Sequence, residues 1–113
     1  MAKDYQVHIS DVDKRLGALF KAAPKSMGAY GQLSQAVSQA GAIDTKTKEL
    51  MALAISITSR CEDCIAYHCR AVIKHGATEA EVTEAIGVAI EMGGGPAAVY
   101  GARAYQAFKD LSA

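Results

Sequence analysis

Nowhere in this chain do polar and apolar residues alternate convincingly with a period of two. Apolar residues recur instead at intervals of three and four, between capping residues, glycines and prolines. That spacing lines one face of a helix and does not suit a strand. The sequence therefore predicts an all-α fold of about six helices. Its length of 113 residues suits one domain, residues 1–113.

The punctuation places the helices. Ser10-Asp11-Val12-Asp13 resembles a capping box, with Asp in place of Glu at the third helical position. Leu16, Leu19, Phe20 and Ala23 follow at helical spacing, and Pro24 is expected to end that helix. Ser26 is read as the cap of a second helix carrying Tyr30, Leu33, Val37 and Ala40, with Gly41 just past its end. Asp44 suits the N-cap of a third. Its run Leu50–Ile57 is apolar almost all round, which predicts a central, buried helix. A fourth helix is expected from near Cys61 to His75, ended by Gly76. Thr78-Glu79-Ala80-Glu81 is a full capping box before the stripe Val82, Ala85, Ile86, Ala89, Ile90. Gly93-Gly94-Gly95 then breaks the chain, and Pro96 suits the first turn of a last helix.

Composition narrows the function classes. Acidic and basic residues number 12 each and form no basic stripe, which argues against nucleic-acid binding by bulk electrostatics. The longest apolar run, Leu50–Ile57, falls far short of the roughly 18 residues expected of a membrane span. Met1-Ala2-Lys3-Asp4 is followed by no apolar segment of the kind a secretory signal carries, so the expected location is the cytoplasm. Many of the apolar residues are alanines, and the chain has no Trp and two Phe. A short chain with small core side chains buries limited area, so other subunits are expected to cover surplus apolar faces.

Chemistry concentrates in one place. Cys61, Cys64 and Cys69 lie within nine residues, a clustering that points to redox chemistry or metal and away from a secreted disulfide framework. His68 follows Cys64 by four residues, which on a helix puts the two Cβ atoms roughly 6 Å apart. Cys61 is three residues before Cys64 and within reach for a disulfide. Both thiols would sit in the first turn of the helix, where unpaired N–H groups favour thiolate. Glu62 and Asp63 oppose this, so they are expected to point to solvent. A thioredoxin-like reading makes Cys61 the attacking thiol. His68 favours Cys64 instead, because Cys61 lies two turns away, about 10 Å along the axis. Glu49 stands near the start of the buried third helix, where a carboxylate needs a partner. If the third and fourth helices pack antiparallel, it approaches His68 and completes a Cys64–His68–Glu49 relay.

These residues also carry a resemblance. Ile43-Asp44-Thr45-Lys46-Thr47-Lys48-Glu49-Leu50, then Cys61-x-x-Cys64-x-x-x-His68, then Gly76-Ala77-Thr78-Glu79-Ala80-Glu81-Val82 resembles the carboxymuconolactone decarboxylase family. Within it the pattern is most similar to the AhpD-like alkylhydroperoxidase branch. The likeness runs from about residue 15 to 111 and is tightest from Asp44 to Ile90. It implies an all-helical fold, often assembled as a homotrimer or homohexamer. It also implies Cys64 as peroxidatic thiol, Cys61 as resolving thiol, His68 as proton acceptor and Glu49 as its partner. The implied partners are a hydroperoxide substrate and an external dithiol reductant, lipoyl-type or thioredoxin-like. The best-studied branch has a second His between the cysteines, where this chain has Asp63. The decarboxylase branch proper is similar in fold but is not expected to carry this CxxC. No cofactor is expected: Gly93–Gly95 is not a GxGxxG after a strand, so nothing suggests flavin or nicotinamide.

Plainer readings stand beside these. Cys61, Cys64, His68 and Cys69 could supply four zinc ligands. Against that, Cys69 lies about 140° from Cys64 around the helix and reads better as a small core residue. Glu49 could be a solvated first-turn carboxylate near Lys46 or Lys48. A thiol–disulfide reductase with little peroxide activity, a carboxymuconolactone decarboxylase-type enzyme and a non-enzymatic metal-binding module are the other functional readings. His75 suits a contact with the end of its helix, and His8 looks like a tail residue without a role. Tyr30, Tyr67, Tyr100 and Tyr105 are read as packing residues or pocket walls, and Gly93–Gly95 as a turn between helices.

Overall fold

The computed structural model describes residues 4–113, so the reading of Met1-Ala2-Lys3 as a leaderless start lies outside the described residues. Six helices follow in order: α1 (Tyr5–Ala22), α2 (Pro24–Ser38), α3 (Thr45–Thr58), α4 (Glu62–Lys74), α5 (Glu79–Gly93) and α6 (Gly95–Ser112). No strand occurs among the described residues. None of their helices is long and apolar enough to cross a membrane.

Helices α3 to α6 pack against one another as the core. Leu53 and Ile57 of α3 meet Ile65, Cys69 and Val72 of α4, Val82 of α5 and Ala104 of α6, all fully buried. Small residues set the spacing between helices. A Cβ on Gly101 would stand 2.9 Å from Ile86 Cγ2, so α5 and α6 approach this closely only because α6 carries glycine there. Helix α1 lies over α4 and α6 and adds Tyr5, Ile9 and Val12 to the core, while α2 touches only α1 and α3 closely.

Helix ends in the second half follow the local sequence. Asp44 caps α3 by accepting the Thr47 N–H, and Thr78 with Glu81 forms the reciprocal box at α5. At the end of α4 the Gly76 N–H bonds Ile73 O and the Ala77 N–H bonds Val72 O, with Gly76 at φ 81°. This is the double carbonyl closure that a left-handed residue makes possible. The end of α3 repeats the pattern with Arg60 in the left-handed position, φ 56°. Its N–H bonds Ile57 O and the Cys61 N–H bonds Ser56 O. The chain therefore turns back at once, and Cys61 becomes the N-cap of α4.

The first half departs from expectation. Ser10 is not a cap. Helix α1 begins six residues earlier, where the Asp4 side chain accepts the Gln6 N–H. Pro24 ends α1 and also opens α2, because a proline at the first helical position forfeits no intrahelical bond. Ser26 therefore lies inside α2. Nor does Gly41 close that helix, which stops at Ser38 with Gln39 extended after it. Helix α3 is central but not buried all round: Met51 and Ile55 are 49% and 61% exposed within the single chain.

Candidate active site

The immediate reversal after Arg60 makes α3 and α4 an antiparallel pair. Residues equidistant from the turn therefore face one another, and Glu49 meets His68. Glu49 Oε2 lies 2.8 Å from His68 Nδ1, with side chains 16% and 27% exposed. A carboxylate accepts this bond, so Nδ1 carries its hydrogen, and Nε2 is the ring nitrogen left to exchange a proton. The imidazole is thereby oriented as a base.

Cys61 and Cys64 are joined in a disulfide, with Cα atoms 5.2 Å apart. Cys61 Sγ also accepts the Cys64 N–H at 3.2 Å, so a sulfur serves as the helix cap. Cys64 is partly buried and lines, together with His68, a cleft of about 510 Å³. The far wall is apolar, built from Leu16, Leu19 and Phe20 of α1 and Tyr30 of α2. A second, more polar hollow of about 810 Å³ opens on the other side of His68, where Glu49, Thr45, Lys74 and His75 line it. His68 thus stands between an apolar cleft holding the thiol and a polar hollow holding its carboxylate partner.

Cys69 is fully buried, and its Sγ–H donates to Ala104 O at 3.4 Å. Burial pushes its thiol up to about 12. It is a core residue facing α6, turned away from the cleft. His75 is the C-cap of α4, its N–H bonded to Ala71 O.

Two expectations at the thiol turn are corrected. Glu62 does not project to solvent. It accepts the Tyr5 hydroxyl at 2.8 Å, lies 3.5 Å from Arg103 and is 21% exposed. Asp63 is half exposed but engaged through both oxygens, Oδ1 at 2.6 Å from His8 Nε2 and Oδ2 at 2.8 Å from Arg15 Nη2. The hydrogen bond from His8, then that from Arg15, holds its carboxyl below the ordinary range. His8 is accordingly no tail residue. It sits on α1 with its side chain 9% exposed and its ring stacked on Tyr5. The signal that His8 belongs to a helix was in the sequence, since Tyr5, Ile9, Val12, Leu16 and Leu19 form one unbroken helical stripe. Continued back to Asp4, that stripe places His8 and Arg15 seven residues apart on one face of a helix.

The comparisons with known proteins agree with this architecture. The family model for the carboxymuconolactone decarboxylase family matches residues 24–107, and the chain belongs to that family. A family member from Legionella pneumophila is 38% identical and superimposes with a TM-score of 0.93, over 98% of this chain and 100% of its own. A Thermotoga maritima member, of possible involvement in an antioxidative response, is 30% identical with a TM-score of 0.83, over 93% and 90% of the two chains. An uncharacterised protein of Cupriavidus necator is 34% identical over the full length of both.

Proposed function

We propose that this protein is a thiol peroxidase and disulfide reductase of the AhpD-like alkylhydroperoxidase kind. The observation that carries the reading is the pairing, on one helix, of a CxxC disulfide with a histidine held by Glu49 at 2.8 Å. In this reading His68 Nε2 takes the proton of Cys64. The thiolate attacks the terminal oxygen of a hydroperoxide, the O–O bond breaks, and the alkoxide takes the proton from His68 and leaves as alcohol. Cys64 is then a sulfenic acid. Cys61 displaces its oxygen as water, which gives the Cys61–Cys64 disulfide. An external dithiol, lipoyl-type or thioredoxin-like, gives up two electrons and two protons to restore the thiols. The apolar wall of the cleft suits an organic hydroperoxide, and the antioxidative association of the Thermotoga protein fits the same chemistry. A cytoplasmic setting, where such dithiols stay reduced, belongs to this reading.

The test is loss of an organic hydroperoxide in the presence of reduced protein and a small dithiol. Turnover in excess of the protein is expected. A protein that reduces disulfides but consumes no peroxide would instead be a general thiol–disulfide oxidoreductase. Asp63 stands between the cysteines where the best-studied branch has a second His, so a base that could serve the peroxide step is missing, and this favours that second reading.

Assembly as a homotrimer or homohexamer is part of the proposal. Helix α2 has no buried residue, and its Tyr30, Leu33 and Val37 are 60%, 62% and 58% exposed, an apolar stripe with no cover in the single chain. Sedimentation velocity at micromolar concentration should give a multiple of the 11.9 kDa chain mass, and a monomer would overturn this part.

A further inference from the structure

Asp63 poses a problem at this site. It stands between the two cysteines, and an uncompensated carboxylate there raises the energy of either thiolate. The structure surrounds it from one direction. His8 and Arg15, seven residues apart on α1, occupy one oxygen each. Asp63, Arg15, Cys64 and His68 line the same cleft. Helix α1 precedes residues 24–107, the part matched by the family model.

We propose that His8 and Arg15 are positioning residues for the thiol pair, holding Asp63 so that its charge is spent on α1 instead of on Cys61 and Cys64. The inference rests on reading those two cysteines as the reactive thiols. The two residues divide the work. His8 Nδ1 is buried and has no hydrogen-bond partner among the described residues. The Asp63 carboxylate only accepts, so His8 Nε2 carries a hydrogen and donates it to Oδ1. His8 orients the carboxylate through one oxygen, and Arg15, always charged, offsets it through the other. The neighbouring carboxylate of Glu62 is engaged elsewhere, accepting from Tyr5 on α1 and lying beside Arg103 on α6.

The test reads thiolate directly, by the pH profile of iodoacetamide labelling of each cysteine in the reduced protein. Arg15→Gln should move the profile to higher pH and slow labelling of Cys64 or Cys61 at pH 7 by about threefold to tenfold, as expected when a nearby carboxylate is left uncompensated. Arg15→Lys should keep the wild-type profile, and His8→Ala should move it in the same direction as Arg15→Gln but less. In an Asp63→Asn background, Arg15→Gln should change the rate by less than about twofold, because the charge it offsets is gone. An unchanged profile in Arg15→Gln overturns the proposal. Equal slowing with and without Asp63 also overturns it, since Arg15 would then act on the thiols directly. Buried Cys69 should stay unlabelled throughout and reports that the variants remain folded. Labelling consumes no peroxide, so failure of the peroxidase reading and failure of this one are separate results.

Discussion

Replacing Cys64 by Ser should abolish peroxide consumption, while replacing Cys61 should leave one turnover. In Cys64→Ser the only thiol in the cleft beside His68 is gone, and a serine hydroxyl does not attack a peroxide oxygen at neutral pH. The expected loss in rate is at least about 10³-fold. In Cys61→Ser the first step survives. One equivalent of hydroperoxide per chain should disappear, and a sulfenic acid should accumulate that a dimedone-type probe captures on Cys64. Further turnover should stop, because no resolving thiol remains. The opposite pattern, a burst in Cys64→Ser and none in Cys61→Ser, would exchange the two roles. The structure makes that exchange a serious competitor. Cys61 Sγ accepts the Cys64 N–H at the start of α4, and such a hydrogen bond stabilises a thiolate at Cys61. What favours Cys64 is position, since it shares the cleft with His68. Quenched-flow measurement of peroxide loss, with mass spectrometry of the trapped cysteine, separates the two.

The balance between these cysteines could be argued before the fold was known because it depends on residues close together in sequence. Cap residues and helix-ending glycines act within one turn, so Asp44, Gly76, the Thr78–Glu81 box and Pro96 marked their helix ends. The Glu49–His68 pair was also within reach, because a short turn between two helices forces them antiparallel. At the front of the chain local signals competed. Ser10 and Ser26 have capping side chains, but Asp4 and Pro24 already open those helices. The partners of Asp63 were harder still. His8 and Arg15 lie 55 and 48 residues from it in the chain, and only the docking of α1 on α4 brings them together. A carboxylate next to a cysteine reads in sequence as a charge seeking water. Whether it finds a cation instead depends on tertiary packing, which no local pattern encodes.

The relay itself makes the second large prediction. His68→Ala should slow oxidation of the reduced protein by hydroperoxide by about 10²-fold or more, the usual scale for loss of a positioned base. Glu49→Gln should cost less, about tenfold, since it keeps a side chain that can bond the ring but removes the charge that fixes its tautomer. The decisive measurement is the double variant. If Glu49 acts only through His68, His68→Ala with Glu49→Gln should be no slower than His68→Ala alone, because the second change has nothing left to orient. Glu49 lies on the polar side of His68, away from the cleft that holds Cys64, which is why its effect is expected to vanish with the imidazole. Multiplying losses would mean that Glu49 reaches the thiols or the substrate by another route, and the relay would have to be abandoned. Circular dichroism should show both single variants as helical as the wild type, because each side chain is only partly buried and neither belongs to the packed core of α3 to α6.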